Sequence, residues 1–171
     1  MKIPIWPSVP VEPGTFNGPG ERSARALKAV VAQFGVETNP RYEVRDTSGD
    51  GRSDTFCNIF LWDCTTALRC EIPHWWQGSE LSANATIDWL VAWGREHGWR
   101  ECSHEQAIEA ADAGRPAVPT WKSSTGSGHV AILLPSRLGT PMIAQAGRRN
   151  LFDAPLRAGF GTRPLRYWTH D

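Results

Sequence analysis

The sequence has no excess of either charge: eighteen basic and eighteen acidic side chains balance. A nucleic-acid binder is therefore not indicated, because such proteins draw on a basic surplus. Blocks of like charge, the mark of a disordered tail, are missing as well. No apolar run approaches the roughly 20 residues that a membrane-spanning helix needs, so no membrane span is expected. The start, Met1-Lys2-Ile3-Pro4-Ile5-Trp6-Pro7, shows no apolar signal core, and export by a signal peptide is not predicted. Cysteines are few: Cys57, Cys64, Cys70 and Cys102. Cys57 and Cys64 would lie about two turns apart on one helix, too far to bridge. A zinc site from Cys57, Cys64, Cys70 and His74 lacks the usual close Cys pair. A disulfide or zinc scaffold is thus disfavoured.

Tryptophan, by contrast, is abundant, with nine residues. Trp62, Trp75, Trp76, Trp89, Trp93 and Trp99 crowd the middle third. Core and rim packing is the first expectation for them, and lining a carbohydrate or peptide groove the second. A chain of 171 residues suffices for one domain with a real core. No repeat or linker divides it. Met1 to Gly20, rich in Pro and Gly, reads as an extended arm of a single domain over residues 1–171.

Helical spacing of Leu27, Val30, Val31 and Phe34 predicts a helix over Glu21–Phe34, stopped by Gly35. A second helix is expected from Cys57 to about Leu68, with Phe56, Ile59, Phe60 and Ala67 toward a core and Asp54 or Thr55 as its cap. Glu71 to Trp76 reads as irregular. Ser82 or Asn84 caps a third helix carrying Ile87, Leu90, Val91 and Gly94. Ser103 and Gln106 form a capping box for a fourth, ended near Gly114. His97 and His104 are expected on polar helix surface. From Pro116 the pattern changes to strands: Ala117–Lys122, His129–Leu134, Met142–Gly147 and Leu165–Thr169, with Arg148–Thr162 as loop that has room for a short helical turn. Helices first and an antiparallel meander after make the class α+β, with the sheet packed on the Cys57 helix.

Between Arg45 and Asp54 lies a polar loop. Asp46, Ser48, Asp50, Gly51 and Asp54 match positions one, three, five, six and nine of a calcium loop, but the twelfth is Cys57 where Glu is the rule. Two readings stay open: an Asp-Gly turn, or a structural calcium clamp on Asp46, Ser48, Asp50 and Asp54. Just beyond, Cys57 falls in the first turn of its helix, where the dipole favours a thiolate. A buried core cysteine is the plainer reading of this residue alone. Downstream, His129 opens a strand after the small-residue turn Ser123–Gly128, and Gln145 lies on the next strand. A thiol requires a base to act as nucleophile at neutral pH, and the base requires a polar group to orient its ring. Adjacent antiparallel strands can set His129 beside Gln145.

Asp54-Thr55-Phe56-Cys57-Asn58 at a helix start, followed by Ser127-Gly128-His129-Val130-Ala131-Ile132 on a strand, resembles the papain-like cysteine amidases and peptidases of bacterial cell walls, the CHAP and NlpC-type domains. Ala113-Gly114-Arg115-Pro116-Ala117-Val118 is similar to their helix-to-strand entry, and the order of elements follows theirs over roughly Ala24 to Thr169. The resemblance implies Cys57 as nucleophile, His129 as base and Gln145 as the third residue, with Asn150 in reserve. Where CHAP-type motifs often place Gln just before the Cys, this chain has Thr55 and Phe56. The backbone N–H groups of Cys57 and Asn58 would form the oxyanion hole. Asn58, Trp62, His74, Trp75 and Trp76 would then be substrate-groove candidates, with His74, in the packed turn that Pro73 and the two following rings suggest, read as structural or as groove wall rather than as base. Arg148 and Arg149 would meet a substrate carboxylate or form a solvated loop.

By the same resemblance the partner is peptidoglycan or its stem peptide. No cofactor is required for the chemistry, with calcium as a structural addition. Without a signal peptide, action on the wall implies phage lysis or delivery by a secretion system, the latter with a cognate inhibitor protein. Two rivals stand beside this reading. One is a cysteine peptidase or deamidase acting on protein. The other is a non-catalytic, calcium-stabilised binding or structural domain of the same fold.

Overall fold

The computed structural model describes residues 17–171; most of the expected arm at residues 1–20 lies outside them. Asn17 is buried and donates to the Gly114 carbonyl at 2.6 Å. Ser23 caps α1 (Ala24–Ala32) by accepting from the Ala26 N–H, which is why this helix begins later than its apolar spacing alone predicts. Leu27, Val30 and Val31 are its buried stripe. A single 3₁₀ turn, Pro40–Tyr42, leads to the polar loop, which closes in a bridge between Arg45 and Asp54.

Helix α2 (Cys57–Ala67) is the centre of the molecule. Cys57, Ile59, Phe60, Leu61, Asp63, Cys64, Thr65 and Ala67 are all buried, so it has no solvent face of ordinary width. Its start differs from the expectation that Asp54 or Thr55 caps it. The cap position is Phe56, with no side-chain bond; the Asp54 carboxylate instead accepts from the backbone N–H and hydroxyl of Thr47 and closes the loop.

The segment read as irregular contains a two-residue hairpin, β1 (Trp75–Trp76) with β2 (Ser79–Glu80). Ser82 caps α3 (Ala83–Ala92). A 3₁₀ turn over Gly94–His97 precedes β3 (Arg100–Cys102), and α4 (His104–Asp112) starts with the reciprocal Ser103–Gln106 capping box. Caps of this kind are worth about 1 kcal/mol each. His97 is exposed, as expected, with its ring 5.0 Å from that of Trp89 and 5.6 Å from that of Trp76.

The strands that follow are β4 (Ala117–Trp121), β5 (His129–Val130), β6 (Ile132–Arg137), β7 (Thr140–Gln145), β8 (Leu151–Pro155) and β9 (Arg166–Thr169), with a five-residue helix α5 (Leu156–Phe160) after β8. All pairings are antiparallel, in the orders β3-β9-β4-β5 and β6-β7-β8. Between β5 and β6 stands Ala131, whose N–H donates to Pro119 at 3.2 Å. One chain segment thereby passes from the first sheet into the second. Val130 to Leu134 are at most 1% exposed, as a continuous apolar run on a strand covered on both faces requires. The class is α+β. Helix α2 packs against β5 and β7, and α1 and α4 against β6. Strand β8 occupies residues expected to be loop, and helix α5 is a short helical turn within the same segment. Among the described residues no helix is long and apolar enough to cross a membrane.

Candidate active site

Cys57 is the first residue of α2, and its thiol is buried, 4% exposed. Burial pushes the thiol above its ordinary value; the backbone N–H groups of Val130, Asn58 and Cys57 itself face the sulfur and offset this in part. The Val130 N–H belongs to the peptide joining it to His129. The sulfur therefore lies against the strand that carries the imidazole.

His129 Nε2 lies 2.7 Å from Gln145 Oε1. The amide orientation is fixed from its other end, because Gln145 Nε2 donates to the Arg149 carbonyl at 3.1 Å. With Oε1 as acceptor, Nε2 carries the ring proton and Nδ1 holds the lone pair. Burial lowers the His129 pKa; the Gln145 bond opposes this and the Arg163 charge adds to it. The imidazole is therefore neutral at neutral pH, as a base must be.

Register puts Gln145 there. Ile132 pairs with Ala144 across β6 and β7, so the next residue of β7 comes alongside the start of the bent strand. On the other side, β7 and β8 change register between Ile143 and Gln145, where Asp153 has a φ of 55°. Such a bulge re-aims the neighbouring side chain. Asn150, the reserve residue, is directed elsewhere: its Nδ2 donates to the Tyr42 carbonyl at 2.8 Å.

Two groups that the sequence reading missed cover this pair. The Phe160 ring lies 4.9 Å from the His129 ring. Gly159, one residue before it on α5, packs so closely on Gln145 that a Cβ would run into Oε1 and the Ile143 methyl. The only available signal was the pattern Gly159-Phe160 inside a presumed loop. Gly159→Ala is expected to displace Gln145, break the 2.7 Å bond and lower kcat. In a Gln145→Ala background the same substitution should lower kcat little further, since the group it acts through is gone. Steady-state kinetics of the four proteins check this; full additivity would refute it.

Of the groove candidates, Trp75 is 47% exposed and Trp62 and Trp76 are half-buried. Trp76 packs with Trp89 and Trp93. His74 is buried, as the structural reading of it expects. It is 3% exposed, stacked on Trp62 at 5.4 Å and edge-on to Trp75 at 5.7 Å, with Nε2 3.2 Å from Glu80. Burial lowers its pKa against the pull of Glu80. The Asn58 side chain ties α2 to the segment before α3, donating to Leu81 at 2.8 Å. Arg148 and Arg149 are exposed.

In the acidic loop, Asp46 accepts from the N–H groups of Gly49 (2.6 Å) and Gly51 (2.8 Å), and Asp50 from that of Arg52 (2.9 Å). Those backbone donors hold the Asp46 carboxyl below its usual range. Ser48 Oγ is 3.4 Å from Asp46. Among the described residues, no three His, Cys, Asp or Glu side chains gather as a metal-holding group. As it stands the loop is an Asp-Gly turn closed on its own backbone. The four cysteines are free. No protein-family model and no curated protein matches the chain.

Proposed function

We propose that the chain is a papain-like cysteine hydrolase that cleaves amide bonds of peptidoglycan. The observation that carries the chemistry is the Gln145-held His129 on the strand whose Val130 N–H faces the Cys57 sulfur. The substrate class rests on the resemblance of the Cys57 and Gly128-His129 segments to cell-wall amidases and peptidases.

The shift directions set the resting state. Burial raises the thiol and lowers the imidazole. Both are then neutral at pH 7, and the proton moves during attack rather than being stored as an ion pair. His129 Nδ1 takes the Cys57 proton as sulfur bonds to the amide carbonyl carbon. The carbonyl electrons pass to oxygen, where the N–H groups of Cys57 and Asn58 at the start of α2 would be the donors. They return as the C–N bond breaks, and His129 gives its proton to the leaving amine. Water then attacks the thioester with His129 again as base, releasing a carboxylic acid and the thiol. Gln145 keeps the ring proton on Nε2 throughout. An uncharged amide orients the imidazolium but stabilises it less than a carboxylate.

The reaction as proposed takes no metal. Calcium at Asp46, Ser48, Asp50 and Asp54 would serve only as a clamp on the loop before α2. Action on the wall would follow phage lysis or secretion-system delivery, with a cognate inhibitor in the latter case.

The decisive experiment is digestion of purified peptidoglycan by wild type and Cys57→Ala, with calcium and with EDTA, read as new amines and fragment masses. Cleavage by wild type alone is expected. Absence of cleavage in every arm, beside cleavage of a protein substrate, would move the reading to a cysteine peptidase or deamidase.

A further inference from the structure

Helix α3 carries a side chain whose bonds go to the loop that delivers His129. Asn84, in the first turn of α3, donates from Nδ2 to the carbonyls of Ser123 and Gly126, both at 3.0 Å. Its Oδ1 accepts from the Ser123 N–H at 3.0 Å. Three bonds from one amide thus span about 40 residues of sequence. The loop is further knit by Ser123 Oγ, which accepts from the N–H groups of Thr125 (3.3 Å) and Gly126 (3.0 Å). At the loop's end Gly128 is wedged between Asn84 and the Trp121 carbonyl, and a Cβ there would strike both. This close approach is why the residue before His129 has no side chain.

The strand that follows has little of its own to orient His129. β5 is two residues long and pairs only as Thr120 with Val130 and Trp121 with His129. Gln145 and Phe160 hold the His129 ring itself, whereas the Asn84 bonds go to the backbone of the loop that enters it.

We infer that Asn84 is a positioning residue for His129: its amide fixes the Ser123–Gly128 loop and so aims the imidazole at Cys57. The inference rests on the proposed Cys57–His129 chemistry, and its test does not need peptidoglycan. With a neutral base beside it, Cys57 reacts at neutral pH. Without that base it reacts only as its own raised ionisation begins, at higher pH.

The experiment is alkylation by iodoacetamide across pH, read at Cys57 by peptide mass spectrometry, for wild type, His129→Ala, Asn84→Ala, Asn84→Asp and Asn84→Ala/His129→Ala. Asp88→Ala serves as control, since Asp88 on α3 pairs with Lys122 at the mouth of the same loop without holding its backbone. Asn84→Ala is expected to slow alkylation at pH 7 by about tenfold or more, part of the 10²–10⁴ a positioned base supplies. Its profile should move toward that of His129→Ala, the double variant should match His129→Ala, and Asp88→Ala should match wild type. Asn84→Asp keeps the acceptor for the Ser123 N–H but turns a carboxylate oxygen toward the Ser123 and Gly126 carbonyls in place of both donors, so it should slow alkylation at least as much as Asn84→Ala. A wild-type profile for Asn84→Ala overturns the inference, as does one for Asn84→Asp should the alanine variant not fold. Equal slowing in the presence and absence of His129 also overturns it. Failure of wild type to cleave peptidoglycan, with these alkylation results intact, would instead tell against the proposed substrate.

Discussion

Asp63→Ala should destabilise the protein by about 3–5 kcal/mol, the cost of removing one member of a buried, hydrogen-bonded ion pair. Asp63 is 9% exposed on α2. Its Oδ2 accepts from Arg41 Nε at 2.6 Å and from the Tyr42 hydroxyl at 2.6 Å, and its Oδ1 from Arg41 Nη2 at 2.9 Å. The Arg41 side chain is itself only 9% exposed. Removing the carboxylate leaves a guanidinium and a phenol buried together. Exposed pairs such as Arg166 with Glu101 contribute an order of magnitude less. In a domain of this size the loss is a fall in melting temperature of about 6–20 °C, and a large share of the whole stability. Asp63→Asn, which keeps one acceptor oxygen for Tyr42 and Arg41 Nε but drops the charge and turns an amide donor toward Arg41 Nη2, should lie between. Calorimetry of the three proteins decides it; a fall under 1 kcal/mol would show that the pair carries no more than a surface bridge. The effect should also reach the site, because the Tyr42 carbonyl holds Asn150 and the neighbouring Arg149 carbonyl holds Gln145.

How far the sequence can be read depends on how much each segment says locally. Helix α2 was legible because eight of its eleven residues are buried and its apolar content is unmistakable. The run from His129 to Leu134 was legible as a buried strand for the same reason, and Gln145 follows from strand adjacency. The cap of α2 was misread, since a cap at Asp54 is a local preference and its carboxylate found Thr47 across the loop instead. Strand β8 escaped notice because its alternation is broken by Asp153 in the left-handed region and by Pro155, two features that weaken any strand pattern. Helix α5 is too short to show a period, and Gly159 inside it reads as a breaker; only the fold reveals that the glycine makes room for Gln145. Packing of His74 is legible from Pro73 and the adjacent rings, of which Trp75 lies edge-on to it, whereas the stacking of Trp62 from α2 is a partnership no local pattern encodes. The Asn84 clamp is likewise a contact between segments forty residues apart.

His129→Ala should lower kcat/KM for amide cleavage by 10²–10⁴, the usual contribution of a positioned base, and the pH dependence of the wild type should identify the group removed. In the proposed mechanism the active form of His129 is neutral. Burial lowers its pKa, so activity is lost only when the pH falls below the ordinary histidine value of about 6.5. The Cys57 thiol is shifted upward and sets no limb near neutrality. The expected profile is therefore a plateau through neutral pH with its acid limb displaced toward lower pH. Folding carries the same sign. The unfolded chain takes up the proton at the ordinary value while native His129 resists it, so this contribution to stability, present above about 6.5, is lost as the pH falls through the native pKa. Gln145→Glu tests the assignment directly. A carboxylate at 2.7 Å in place of the amide oxygen favours the imidazolium and must move the acid limb to higher pH. A limb that stays in place in Gln145→Glu, or one that survives in the residual activity of His129→Ala, would mean that another group titrates and that His129 is not the base.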